Sequence, residues 1–316
     1  IVEIEYTGTH YTFGSIIQMR VVGAGELDEF VTYKGTGSQR PRIQGYAGNG
    51  ESIRAGGNRF LNLEFENRAT TGQPLLGNGN HIYVDSCKFI DSGTATNGTG
   101  GFLYIPKSYN SIVTNCEFIG KSGTLSNCAV KQYATGGWYG TWNIINCTFR
   151  NFINGVQAEK GSGITVSNCL FYDSQNGVNL YSTTARGGHC VTGCVFHNLS
   201  GDGVKFDSGY SIKASSVNNS VFSNISGNAI SASSAWGQTD SAYFNHNAFY
   251  NITGSNYSNI NAGANDITLT ADPFVDAAAG DFNLNADAGG GATLRANNYA
   301  LNTDTSVYPF RQYVSD

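Results

Sequence analysis

Asn115-Cys116-Glu117-Phe118, Asn146-Cys147-Thr148-Phe149 and Asn168-Cys169-Leu170-Phe171 are three copies of one phrase, and its recurrence decides the fold. Further copies are Asn62-Leu63-Glu64-Phe65, Ser86-Cys87-Lys88-Phe89, Gly193-Cys194-Val195-Phe196, Asn219-Ser220-Val221-Phe222 and His246-Asn247-Ala248-Phe249. From Leu63 through the Cys positions to Asn247 the steps are 24, 29, 31, 22, 25, 26 and 27 residues. A period in this range marks a stacked repeat rather than a globule of unlike elements.

The flanking residues keep the same rhythm. Three residues before the Cys position stand Val84, Val113, Ile144, Val166, Val191, Val217 and Phe244. Four after it stand Asn67, Asp91, Gly120, Asn151, Asp173, Asn198, Asn224 and Asn251, short side chains suited to a turn and to left-handed φ. Another strand follows in Asn154-Gly155-Val156, Asn176-Gly177-Val178, Asp202-Gly203-Val204 and Asn228-Ala229-Ile230. Like side chains stacked about 4.8 Å apart would fill a cylinder with Phe, Cys and Val rows. The reading is an all-β, single-stranded parallel β-helix, a solenoid of at least eight coils of about 25 residues. Residues 58–255 form its regular body, 1–57 its N-terminal opening coils or cap, and 256–316 a C-terminal cap or tail that loses the Cys/Phe rhythm.

Composition agrees with one repetitive body. The 316 residues include 41 Gly and 5 Pro, and only 13% are charged, so Asn, Ser and Thr make up much of the surface. A net charge of −5 with no basic stripe argues against a nucleic-acid partner. No apolar run reaches the roughly 18 residues of a spanning helix, so no membrane insertion is expected. The chain opens at Ile1, without Met and already in a strand-like run, which points to a processed or trimmed protein. Seven Cys is an odd number. Five of them share one repeat position, so they read as a ladder of small buried thiols rather than as disulfides or a metal set.

These copies resemble the pectin-lyase-like superfamily of right-handed parallel β-helices, across roughly residues 30–255. The stretch from Phe30 to Gly45 looks like the opening coils of secreted and phage-encoded members. Asp272-Pro273-Phe274-Val275-Asp276, followed by Gly280-Asp281-Phe282-Asn283-Leu284, is similar to a closing motif of β-helix repeat proteins. The resemblance implies an extracellular, cell-surface or virion-surface setting and a polysaccharide partner, but no particular reaction. No Asp-Asp pair with a Gly-His-Gly stands here as in polygalacturonase-like hydrolases; Gly188-His189 is the nearest fragment. Asn49-Gly50-Glu51-Ser52-Ile53-Arg54 has a superficial likeness to an alginate-lyase motif and reads better as a turn leading into a strand.

Aligning the strand after each turn by its inward Val leaves two outward columns. One holds Tyr104, Lys131, Gln157, Asn179, Lys205 and Ser231; the other holds Pro106, Tyr133, Glu159, Tyr181, Asp207 and Ser233. Aromatic rings stack on sugars while amides and charges bond hydroxyls, so Tyr104, Lys131, Tyr133, Gln157, Asn179, Tyr181 and Lys205 are the expected glycan contacts. Trp138, Tyr139, Trp142 and Trp236 are expected in loops toward the same edge. Glu159 and Asp207, two coils and about 9.5 Å apart, are the candidate catalytic carboxylates, near the upper spacing of inverting glycosidases. Against uronates, Lys131 and Lys205 would supply the countercharge. His10, His81, His189, His197 and His246 form no metal set, and Asp85, Asp91, Asp173 and Asp202 serve turns. No cofactor is expected; a calcium ion bridging those Asp is the one the pattern leaves room for.

The functional expectation is a non-catalytic structural or fibre protein that self-associates or joins a larger particle and contacts glycans. The alternatives are a polysaccharide lyase or glycoside hydrolase acting on an acidic polysaccharide, and a secreted glycan-binding module.

Overall fold

The computed structural model describes residues 2–5, 11–12, 17–20, 31–37, 39–44, 53–56, 58–67, 76–77, 82–93, 102–105, 111–133, 141–159, 163–181, 188–207, 215–233 and 244–297. Among these, three parallel sheets of ten, eleven and ten strands run the length of the molecule, and the chain visits the three in turn. The molecule is a parallel β-solenoid, the architecture that the resemblance to pectin-lyase-like β-helices implies. Right-handedness is the sense such crossovers take in nearly all parallel sheets.

Each expected row is present and in register. In the first sheet Val84, Val113, Ile144, Val166, Val191, Val217 and Phe244 lie opposite one another and are buried. In the second sheet Phe65, Phe89, Phe118, Phe149, Phe171, Phe196, Phe222 and Phe249 form one ring stack. From Phe89 to Phe222 ring centroids are 4.7–5.0 Å apart and planes differ by 5–7°, so strand spacing sets ring spacing.

The Cys row stands beside this stack. All seven Cys are free thiols. Those of the row donate to carbonyls in their own coil, as Cys116 Sγ does to Thr114 at 3.1 Å and Cys169 Sγ to Ser167 at 3.2 Å. The row also accepts from neighbouring coils. The Cys147 N–H donates to Cys169 Sγ at 3.4 Å, the Cys194 N–H to Ser220 Oγ at 3.2 Å, and the Ser220 N–H to Asn247 Oδ1 at 3.1 Å. A small side chain that both donates and accepts is what the position requires, which explains why Ser220 and Asn247 continue the Cys row. Burial pushes the thiols of Cys87, Cys116, Cys147 and Cys169 well up, so they stay protonated and inert.

The residue before the Cys is the first corner. Asn115, Asn146, Asn168 and Asn219 each have φ of 53°, and Asn62, Ser86 and His246 lie between 52° and 56°. Asn is tolerated in this left-handed region because its short amide bonds locally. Gly193 takes the same corner at φ 63°, where a Cβ would come within 2.5 Å of Asn168 Oδ1. The second corner is tight only from Asn151 onward: Asn151, Asp173, Asn198, Asn224 and Asn251 have φ of 50–65°. Asn67, Asp91 and Gly120 correct the expected row, since none of them has positive φ. After them the chain takes a longer path to the next strand, so no one-residue reversal is needed.

Strands Val2–Glu5, Tyr11–Thr12 and Ile17–Arg20 pair in parallel with the next coil, so residues 1–57 contribute to the same three sheets. At the other end the chain leaves the coil after Ile267–Thr268 and makes the antiparallel pair Phe274–Asp276 with Asp281–Leu284, then the helix Gly291–Ala296. Phe274, Phe282 and Leu294 pack against Leu170, Val195, Val221 and Ala248, an outward column of the second sheet. Earlier in that column stand Glu64, Lys88, Glu117 and Thr148. The face therefore turns from charged to apolar where the tail covers it.

Candidate functional site

The third sheet carries the expected columns. Tyr104, Lys131, Gln157, Asn179, Lys205 and Ser231 lie opposite one another, one per coil. Tyr133, Glu159 and Tyr181 form the second column, and Asp207 follows one coil on, its N–H donating to Leu180 O at 2.7 Å. The side chains of Tyr104 and Tyr133, and all of Pro106, Trp138, Tyr139 and Trp236, fall outside the described residues.

The charged groups are engaged with one another. Lys131 Nζ is 2.9 Å from Glu159 Oε1, and Gln157 Nε2 donates to the same oxygen at 2.6 Å. Asn154 Nδ2 in turn donates to Gln157 Oε1 at 3.4 Å. Lys205 Nζ is 3.0 Å from Asp207 Oδ1. Asn179 lies between these pairs; it is 9% exposed and its Oδ1 has no hydrogen-bond partner among the described residues. Beside it Tyr181 is 36% exposed. A general acid or base needs an oxygen free to meet substrate. Glu159 Oε1 receives two internal donors and Asp207 Oδ1 holds an ammonium, so one oxygen of each carboxylate is engaged. The two carboxylates thus anchor neighbouring cations.

Coil length varies at both ends of the third-sheet strands, in the connection that enters them and in the one that leaves. The chain leaves the third sheet and re-enters the first between Tyr133 and Trp142, Glu159 and Ile164, Tyr181 and Cys190, Phe206 and Ser216, and Ala232 and Phe244. The corner from first to second sheet keeps its two-residue form through these coils. A rigid scaffold that carries its length variation in loops beside one sheet is a common way to carry a binding site.

Trp142 is a correction: it is fully buried, opening a first-sheet strand opposite Ser111 and Ile164, so it serves the core and not a loop edge. Of the Asn49–Arg54 run, Ile53 and Arg54 open the third-sheet strand Ile53–Gly56, and the rest lies outside the described residues. His189 is buried; its Nδ1 accepts the Ile164 N–H at 3.3 Å, and burial lowers its pKa to about 4. His197 bonds Ser223 Oγ at 2.7 Å beneath Phe274 and Phe282.

The four Asp are tied into separate local networks. Asp85 accepts from Asn115 at 2.8 Å, Asp91 from Ser126 at 2.6 Å, Asp173 from Asn198 at 2.6 Å and Asp202 from Ser231 at 2.6 Å. No group of three or more His, Cys, Asp or Glu among the described residues is placed to hold a metal ion. No helix among them is long and apolar enough to cross a membrane. Sequence reasoning missed the Asn154–Gln157–Glu159 chain of bonds, because a period-two pattern shows which residues face outward but not which of them touch.

No family model matches the sequence, and no curated protein matches it. Among solved structures, the chain is similar to the A-module of mannuronan C-5 epimerase AlgE6 from Azotobacter vinelandii, at 11% identity over 83% of this chain and 90% of that one, TM-score 0.31. The AlgE4 A-module of the same organism follows at 9% identity over 79% and 88%, TM-score 0.29. Tailspike protein 3 of bacteriophage CBA120 shares 11% identity over 86% of this chain and 55% of that one, TM-score 0.27. Likeness at this level says nothing of this chain's chemistry, and the fold rests on the sheet registers described above.

Proposed function

We propose that this protein is a non-catalytic β-helical scaffold, displayed outside the cell or on a virion, that contacts glycans through the outer face of its third sheet. The observation that carries the reading is the column Lys131, Gln157, Asn179 and Lys205, one polar side chain per coil, with both nearby carboxylates already held by lysines. The coil step of about 4.8 Å is near the length of one pyranose unit, so a polymer along the axis meets a new pair of side chains at nearly every coil. Tyr133 and Tyr181 flank Glu159 in register, two coils apart, a spacing that suits stacking on alternate sugars. A surface with few charges fits a protein that works among polysaccharides. The protein self-associates or joins a larger particle. In support, few charges on its surface stand to repel a neighbour.

The test is a polysaccharide array with wild type, the Tyr133→Ala/Tyr181→Ala variant and the Glu159→Gln/Asp207→Asn variant. Wild type should bind without releasing product, and loss of the two rings should weaken binding about tenfold or more. Product release that the carboxamide variant abolishes would replace this reading with a lyase or hydrolase.

A further inference from the structure

We propose, building on the glycan-contacting reading, that the polymer received by this face is uncharged: a neutral, hydroxyl-rich polysaccharide and not a polyuronate. Along the stretch of the face from Tyr104 to Ser231, the described cations are Lys131 and Lys205, and each stands within 3.0 Å of a carboxylate on the same face. Two cations and two anions leave this stretch without net charge. A uronate chain laid along it would have to draw both ammoniums from their partners. It would also set its own carboxylates beside Glu159 and Asp207, and like charges at that range repel. Neither change is asked of a neutral sugar.

Asn179 points the same way from independent evidence. It is 9% exposed and stands between Gln157 and Lys205 in register, and its Oδ1 has no donor among the described residues. A buried acceptor without a partner is satisfied by a ligand that brings a donor. A sugar hydroxyl donates; an ionised carboxylate only accepts. The adjacent ring of Tyr181, 36% exposed, offers an apolar face to the C–H side of a pyranose.

The full chain should be titrated against dextran and glucomannan as neutral polymers, and against polygalacturonate and alginate as polyuronates, at about 0.05 and about 0.5 M salt. Wild type should bind a neutral polymer with less than about a twofold change between the two salt levels. Asn179→Ala should weaken that binding about tenfold while the free protein melts no lower, because the amide oxygen it removes was unsatisfied. Glu159→Gln/Asp207→Asn frees both ammoniums and should confer polyuronate binding that salt abolishes. Polyuronate binding by wild type that falls steeply with salt would overturn the inference and leave the glycan reading standing. Unchanged neutral-polymer binding by Asn179→Ala would overturn the role given to that amide. Binding to neither class would remove the glycan reading itself, a different result from binding to the wrong one.

Discussion

His189 shows how one side chain can replace a piece of strand pairing. Its Nδ1 accepts the Ile164 N–H at 3.3 Å, and the His189 backbone N–H donates to Ser215 Oγ at 3.1 Å, inside the wall of the solenoid. Burial disfavours the imidazolium and lowers the pKa to about 4, against roughly 6.5 in an unfolded chain. The sign follows from proton counting. Between these values the unfolded chain binds a proton that the folded one excludes, so this contribution is whole above pH about 6.5 and fades as pH falls toward about 4. Urea midpoints for wild type and His189→Asn at pH 7 and pH 4.5 isolate the effect. Wild type should lose about 2–3 kcal/mol more than the variant on acidification. Equal losses would show that the imidazole is not the titrating group.

At the scale of one strand, the Asn-Gly-Val motif owes its Gly to the Phe stack. A Cβ on Gly177 would lie 2.4 Å from Phe196 Cδ1, and one on Gly155 would lie 2.6 Å from Phe171 Cδ1. The third-sheet backbone thus passes directly against the ring of the following coil. Gly177→Ala should cost about 1–3 kcal/mol through overpacking, measured by urea denaturation. Ala229, which stands at the same place where the ring spacing has opened to 5.5 Å, should tolerate Gly with less than about 1 kcal/mol lost. The inward rows were legible in the sequence because they repeat: Phe, Cys and Val recur at fixed offsets, and the third-sheet columns followed by alternation. The pairing of Lys131 with Glu159 was not legible, since both were expected to be available to a ligand. Trp142 was misplaced for a related reason. The coil that reaches it is the longest between copies, at 31 residues, and nothing in the extra length marks where the strand resumes. The variable residue of Asn-Cys-x-Phe did hold a readable signal. Glu64, Lys88, Glu117 and Thr148 give way to Leu170, Val195, Val221 and Ala248, which foretells a covered face.

For the molecule as a whole, that covering is the largest departure from repetition. Phe274, Phe282 and Leu294 are at most 4% exposed and rest on the apolar column, while Asn285 Nδ2 ties the hairpin to Asp272 O at 2.7 Å and Phe274 O at 3.0 Å. Ending the chain after Leu269 should leave the coils folded but bare along Leu170, Val195, Val221 and Ala248. Dye binding should rise and size-exclusion chromatography should show new association, because contiguous apolar patches of this kind drive it. A truncated chain that elutes and binds dye like wild type would show the tail to be dispensable. The position of the tail also sets where a molecule of this kind can grow. A coil duplicated between Leu170 and Ala248 would push one contact of the tail out of step with the others. A coil duplicated among Glu64, Lys88 and Glu117 would meet a face that its neighbours line with side chains of alternating charge, and the far end would be unaware of it. Descendants of this chain should therefore differ in length near their beginnings and agree near their ends.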